Sequence, residues 1–199
     1  MMSVDPSSYL NIVLAGYARS FDIYEDREVG GRKYRAYAFF SSLGEKYVLV
    51  KKAKLWSVKA FEHVFFLEEM CTPELLQELM GRIQEYMEPE LVRHGEKYPE
   101  KDHMYTYLTF VILCSETPAE ETLRAIKNFR FDKGYMFSMR GHAEARLVVV
   151  DLKEKQVWTN PAGRSLKKMF VQAFDRAESG VKGYNELFEP KEQRQESLI

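Results

Sequence analysis

The sequence predicts an α+β fold, with α/β as its neighbouring class: a single mixed β-sheet flanked by helices in the order α-β-β-β-α-β-α-β-β-α. Three junctions carry this prediction. Each time, an apolar, β-rich run ends in a polar residue plus proline and an amphipathic helix pattern begins. They are Phe65-Phe66-Leu67 into Thr72-Pro73, Val111-Ile112-Leu113 into Thr117-Pro118, and Val157-Trp158 into Asn160-Pro161. A fourth such start, Asp5-Pro6, opens the chain. Thr, Asn or Asp caps the first free amides of a helix, and proline at the first helical position gives up a donor that has no partner there. Repeated strand-to-helix handovers lay helices over a common sheet.

The first helix places Tyr9, Leu10, Val13, Leu14, Tyr17 and Phe21 at three- and four-residue spacing. Gly30-Gly31 then breaks the chain. Residues 33–40 and 47–50 are aromatic and β-branched, and Leu43-Gly44 between them supplies turn chemistry, which predicts a hairpin. A third strand runs over about 55–67, and Val64 to Leu67 are apolar on both faces, as in a central buried strand.

The second helix carries Leu76, Leu79, Met80, Ile83 and Met87 on one stripe and is expected to stop near Met87, because Pro89 disfavours helical geometry at Glu88. Residues 93–103 read as a loop and 105–114 as another strand apolar on both faces. Thr117-Pro118-Ala119-Glu120 has the form of a capping box for a short helix through Leu123 and Ile126. Alternation over most of 135–150 predicts a strand, 151–155 a hairpin turn and 156–159 the returning strand. The last helix buries Leu166, Met169, Phe170, Ala173 and Phe174. Residues 1–188 are expected to form one globular domain, and 189–199 a polar, disordered tail.

Composition narrows the class without naming a function. The chain has 199 residues, 45% hydrophobic and 14% aromatic, enough for a genuine core in one domain. Its net charge of −1 exerts no global pull toward nucleic acid or anionic lipid. The charge is uneven, however. Nine Lys/Arg face two acids between Arg27 and Lys59, and eleven acids face four bases between Glu62 and Asp102. Either the segments neutralise each other in the fold or the first offers a basic strip to a partner. Cys71 and Cys114 have neither zinc nor Cys-x-x-Cys spacing and read as buried free thiols that become neighbours if their strands are adjacent. With no basic n-region and no stretch of about 18 apolar residues, the chain reads as soluble and cytoplasmic.

The strongest single-site candidate is the late strand, where alternation sets Arg140, His142, Glu144 and Arg146 on one face. A histidine between a carboxylate and two guanidiniums suits ligand binding at Arg140, His142 and Arg146, or an anion-handling enzyme with His142 and Glu144 as its catalytic groups. The competing reading is a wet sheet face with cross-strand ion pairs. Helix starts at Thr72, Thr117 and Asn160 offer partial positive charge to an anion if they open along one sheet edge, but no glycine-rich loop precedes them. Walker and dinucleotide fingerprints are absent, so no cofactor is expected. His63, His94, His103 and His142 include no metal-type pair, so no metal is expected either. His63, inside a strand, reads as a hydrogen-bonded core histidine. Lys46, Lys51, Lys52, Lys54, Trp56, Lys59 and Phe61 interleave cations and aromatics, which fits single-stranded nucleic acid or, more economically, a lysine-blunted sheet edge.

The element order α-β-β-β-α-β resembles that of the restriction-endonuclease-like fold. That resemblance implies magnesium held by an acid and an acid-x-Lys triplet on successive strands. Asp151-Leu152-Lys153 supplies a triplet, with Asp132 upstream, but late in the chain; the strands that should carry the acids offer Glu45, Glu62 and Glu68 without the triplet. The leading reading is therefore a non-catalytic protein-interaction or ligand-binding module, self-associating through aromatic-rich sheet surface. A nucleic-acid-processing protein of that fold, with degenerate or displaced acids, is the alternative.

Overall fold

The computed structural model describes residues 4–42 and 58–188. Among these residues a seven-stranded mixed sheet lies between two helical layers. Its strands are β1 (Asp22–Val29), β2 (Arg32–Ser41), β3 (Lys59–Glu68), β4 (His103–Cys114), β5 (Asp132–Gly134), β6 (His142–Asp151) and β7 (Gln156–Thr159). The spatial order is β1-β2-β3-β4-β6-β5, with β7 also beside β6. The first three strands form an antiparallel meander, β3, β4 and β6 run parallel, and β5 and β7 return antiparallel to β6. One face is packed by α1 (Pro6–Tyr17), α4 (Lys167–Glu178) and the short α5 (Tyr184–Leu187). The other is packed by α2 (Pro73–Arg82), its π-helical continuation (Ile83–Val92) and α3 (Glu120–Asn128). This is the mixed-sheet α+β architecture that the strand-to-helix handovers predict.

The two apolar runs are neighbours in register, Phe65 beside Phe110, Phe66 beside Val111 and Leu67 beside Ile112. Because side chains alternate, each run feeds both layers. Val64, Phe66, Val111, Val148 and Val150 meet Val13, Leu14 and Phe170, while Phe65, Phe110, Ile112 and Val149 meet Leu75, Leu79 and Ile83. Each such side chain contributes about 1.5–3 kcal/mol when fully buried.

Two of the four Xaa-Pro starts work as anticipated. Asp5 Oδ2 accepts from the Ser8 amide at 2.8 Å and Thr72 Oγ1 from the Leu75 amide at 3.2 Å, with proline in the first turn each time. The other two are recruited by β6 instead. The Thr117 hydroxyl donates to Asp151 Oδ2 at 2.6 Å, and α3 begins after Ala119 with no side-chain cap. Asn160 accepts from the Gly163 amide, but a turn and a 3₁₀ segment (Arg164–Leu166) precede α4.

Several expectations need correction. The charged segment 22–29 is a strand, and Gly30-Gly31, read as a break, is a two-residue hairpin loop with both φ values positive (58° and 75°), the geometry that glycine permits at no steric cost. Strand β2 therefore pairs with β1 and β3; the predicted turn at Leu43-Gly44 and strand 47–50 lie outside the described residues, as does the tail 189–199. The second helix does not stop at Met87. It widens to π geometry from Ile83 and passes Pro89, whose ring would crowd a tighter preceding turn. Residues 135–139 form a turn rather than the start of a strand, with Met136, Phe137 and Ser138 all at positive φ. Gly141 follows at φ +73°, where an added Cβ would lie 2.2 Å from the Met104 carbonyl oxygen.

The outer edge of β6 is paired by β5 up to Glu144 and by β7 from Val148. The gap between them is closed by Asn160. Its Oδ1 accepts from Leu147 N (2.9 Å) and Gly163 N (2.8 Å), and its Nδ2 donates to Ala145 O (2.9 Å) and Phe129 O (3.0 Å). Its own amide donates to Leu147 O, and Ala145 N donates to Phe131 O. The buried side chain thus uses its full hydrogen-bonding capacity in place of a strand. Asn160→Ala leaves several backbone groups unpaired and is expected to destabilise the domain by about 3–5 kcal/mol. Asn160→Asp, which removes the two donors, is expected to be comparably costly. Equilibrium denaturation of the variants checks this, and a loss below about 1 kcal/mol would contradict the assignment.

Candidate functional site

The face packed by α1 and α4 changes character along the strands. Toward the C-terminal ends of β3, β4 and β6 it is apolar: Phe66, Val111 and Val148 stand in one row. The next row is Val64, Thr109 and Arg146, followed by Glu62, Tyr107, Glu144 and, on β5, Asp132. A last row holds Ala60, Tyr105 and His142. Polar and aromatic side chains begin where α1 ends, at Tyr17.

The centre of this shelf is an ion pair set into the sheet. Thr109 Oγ1 donates to Glu62 Oε1 at 2.6 Å, and Arg146 Nη1 stands 3.7 Å from the same oxygen. The Arg146 guanidinium lies over Tyr107, 3.2 Å from the ring centroid. Only 15% of the Arg146 side chain and 13% of Glu62 are exposed. Tyr105 and Tyr107 lie 4.5 Å apart, with His142 beside both at 6.4 and 6.2 Å. Among the described residues, the buried Tyr17 hydroxyl and Arg146 Nε have no hydrogen-bond partner.

Burial raises the Glu62 carboxyl above its ordinary range, opposed by the Thr109 hydrogen bond and by Arg146. Tyr17 is pushed up by burial, with Glu62 adding and Arg146 opposing, so its hydroxyl is neutral. Burial also raises Tyr107, with Arg146 opposing.

His142, Glu144 and Arg146 therefore share the face anticipated for them, whereas Arg140 does not. Gly141 turns the chain away, and Arg140 Nη1 donates to the Pro99 carbonyl at 2.9 Å. Glu62, Thr109, Tyr107 and Tyr17 were not anticipated as a site. The signals in sequence were a lone acid inside an apolar strand and the Tyr-x-Tyr-x-Thr alternation of 105–109.

Lys46, Lys51, Lys52, Lys54 and Trp56 lie outside the described residues. Lys59 pairs with Glu100, while Phe61 is stacked between Phe39 and His103. Arg32 pairs with Glu69 and Glu78, and Arg35 with Glu68, so the described part of the basic segment faces the acidic one.

The helix starts make no common anion site. Strand β7 runs antiparallel and ends opposite Val148, away from the ends of β3 and β4, and the Thr117 and Asn160 side chains are committed elsewhere. The acid-x-Lys triplet is structural. Asp151 is buried and accepts from the Lys153 and Glu154 amides, both at 2.9 Å, and from Thr117. Asp132 sits opposite Glu144, seven residues earlier on β6 and so about 23 Å along the strand. Among the described residues, no group of three or more metal-ligating side chains converges.

On the opposite face polar groups are enclosed. His63 Nδ1 lies 2.8 Å from the Tyr37 hydroxyl, and burial, with His94 adding, pushes its pKa down to about 3. His103 is held by the Arg140 carbonyl (2.9 Å) and Thr106 (2.8 Å). The Glu88 carboxylate, 4% exposed, takes Arg93 and Tyr135 at 2.7 Å and Lys133 at 3.0 Å. Burial raises this carboxyl, but the three donors outweigh it and leave it below its ordinary range. Cys71 and Cys114 are free, buried neighbours: the Cys71 amide donates to Cys114 Sγ at 3.3 Å, and burial pushes the thiols up to about 12 and about 11.

Among the described residues, fold and site together define a three-layer α+β domain with one sealed sheet face and one half-open face bearing a buried ion pair. The chain belongs to the family described as "Domain of unknown function (DUF8052)", which matches residues 5–172, from the cap of α1 into α4. No curated protein and no solved structure matches it. No helix among the described residues is long and apolar enough to cross a membrane.

The two buried carboxyls are expected to act on stability with opposite sign. The folded pKa of Glu88 is depressed, so its contribution is present above the unfolded carboxylate value and is lost as pH falls through the folded one. That of Glu62 is raised, so its contribution is present in acid and is lost as pH rises through the folded value. Denaturation across pH 3–7 should show Glu88→Gln flattening the acid-side loss and Glu62→Gln improving relative stability toward neutrality; the reverse pattern would refute the assignment.

Proposed function

We propose that this domain is a non-catalytic ligand-binding module that takes a small polar molecule on the open half of its sheet. One observation carries the reading: the Glu62–Arg146 pair, flanked by the unpartnered Tyr17 hydroxyl and Arg146 Nε, sits in a face whose continuation is wholly apolar. An ion pair removed from water loses much of its solvation, and apolar residues of similar volume do as well or better for stability. Such a pair with donors to spare is suited to recognition. His142, Glu144 and Arg146 belong to this site, and Arg140 is left out of it. The nucleic-acid-processing alternative lacks the arrangement it needs among the described residues, because Asp132 and the Asp151-Leu152-Lys153 triplet lie far apart along the sheet.

The double variant Glu62→Gln/Arg146→Met is the test. It is expected to unfold at or above the wild-type temperature, a change of about 0–4 kcal/mol in its favour. It should also lose thermal stabilisation by any small molecule that stabilises the wild type. A double variant that unfolds well below wild type would make the pair a structural element and remove the basis of this reading.

A further inference from the structure

Independently of any ligand, we propose that two copies of this chain associate about a two-fold axis, the Phe137 turn of each seated in the cleft beside Asn160 of the other. The turn is strained. Met136, Phe137 and Ser138 hold φ values of 48°, 54° and 66°. Left-handed geometry crowds the Cβ of an L-residue against the following carbonyl, so residues adopt it singly and rarely in a run. Such strain persists only where the surroundings over-determine it. Here the Met139 amide donates to Met136 O, that of Arg140 to Tyr135 O and that of Gly141 to Ser138 O, each at 3.1 Å. Both feet of the turn are fixed as well. The buried Tyr135 donates through its hydroxyl to Glu88 at 2.7 Å, and Arg140 donates through Nη1 to the Pro99 carbonyl at 2.9 Å.

What this braced turn presents is apolar. Phe137 is fully exposed, Met136 and Met139 are exposed on either side of it, and so is Met104, whose carbonyl lies against Gly141. An aromatic anchor held in place among pliant thioethers has the composition of a contact surface, and its rigidity lowers the cost of binding.

The occupant is found at the other end of the same hairpin. Among the described residues β5 is an edge of the sheet, and all three of its residues are exposed. The knob formed by the turn follows β5. Ahead of β5 a surface cleft of about 320 Å³ is lined by Phe129, Phe131, Pro161 and Ala162. Asp132 and Glu144 also line it, with Arg130 as the one cation among its lining residues, so its rim is acidic. Arg140, at the base of the knob, is of the opposite sign. Two β5 edges set side by side and antiparallel bring each knob alongside the other copy's cleft, and the arrangement closes on itself. A lipid surface offers no such match. The loop that Arg140 touches through Pro99 carries Glu96, Glu100 and Asp102 against Lys97 and Lys101, which gives the knob no basic collar. An aromatic side chain buries about 150–250 Å², so two reciprocal knobs stay below the roughly 1,200–2,000 Å² of a stable interface and make a weak dimer.

Sedimentation velocity of the full chain, from micromolar to near-millimolar concentration, should show a reversible monomer–dimer equilibrium. Phe137→Ser removes the knob and Ala162→Trp fills the cleft; each should weaken dimerisation about tenfold or more. An equimolar mixture of the two variants should regain part of it, because one intact knob then meets one intact cleft. Phe137 is wholly exposed and Ala162 partly so, and circular dichroism establishes that both variants fold. A wild type that stays monomeric, growth beyond a dimer, dimerisation unchanged by either substitution, or a mixture no stronger than the separate variants would each overturn the proposal. Monomer that instead sediments with phosphatidylcholine–phosphatidylserine vesicles, and ceases to in Phe137→Ser, would overturn it in favour of a membrane.

Discussion

Strand β6 has to satisfy an outer edge that no single described strand covers, and the side chain of Asn160 is what allows it to do so. One primary amide supplies the acceptor for Leu147 N and the donor for Ala145 O that a neighbouring strand would have provided. The same amide holds the Phe129 carbonyl and the Gly163 amide, so it also fixes the loop before β5 and the turn leading into α4. Gly163 is part of this joint, since an added Cβ there would lie 2.6 Å from Leu147 O. The cleft beside Glu144 exists because an amide, rather than a full strand, fills the gap.

Helix length explains why, among the described residues, one face of the sheet is covered along less of its length than the other. Twelve residues of α1 extend about 18 Å, whereas the twelve residues of β4 extend about 40 Å. Even joined by α4, the helix covers the apolar half of the strands, and no other described helix covers the rest. On the opposite face α2 continues as a π-helix for ten further residues, and Glu88 on that continuation anchors it to Arg93, Lys133 and Tyr135. His63 and His103 beneath it are accordingly enclosed, and both pKa values are lowered, chiefly by burial. His142, on the face that α1 does not reach, is only half-buried. The same residue type takes a different role on the two faces because a helix runs on over one of them.

The parts of the fold that were legible in the sequence are those governed by local rules. Val64 to Leu67 and 105–114 read as two-faced strands because they lack polar alternation, and they pair as central strands. Asp5 and Thr72 read as caps and act as caps. Thr117 and Asn160 carry the same local signal, but their side chains are taken by partners 34 and 13 residues away, Asp151 and Leu147. Strand β1 escaped notice because it is an edge strand rich in charge, with only Ile23 fully buried. The site was half legible: alternation groups His142, Glu144 and Arg146, but nothing local shows that Gly141 diverts Arg140 or that Glu62 lies two strands away.

By itself the amino-acid sequence determined the fold class, the identity of the buried central strands and the helices that follow them, since backbone propensity, capping and apolar periodicity act over a few residues. Tertiary structure alone decided which polar side chains serve as joints, which face stays open and which charges meet there. Those outcomes depend on pairing register and on how far each helix reaches across the sheet, and both are set by contacts between residues remote in the chain.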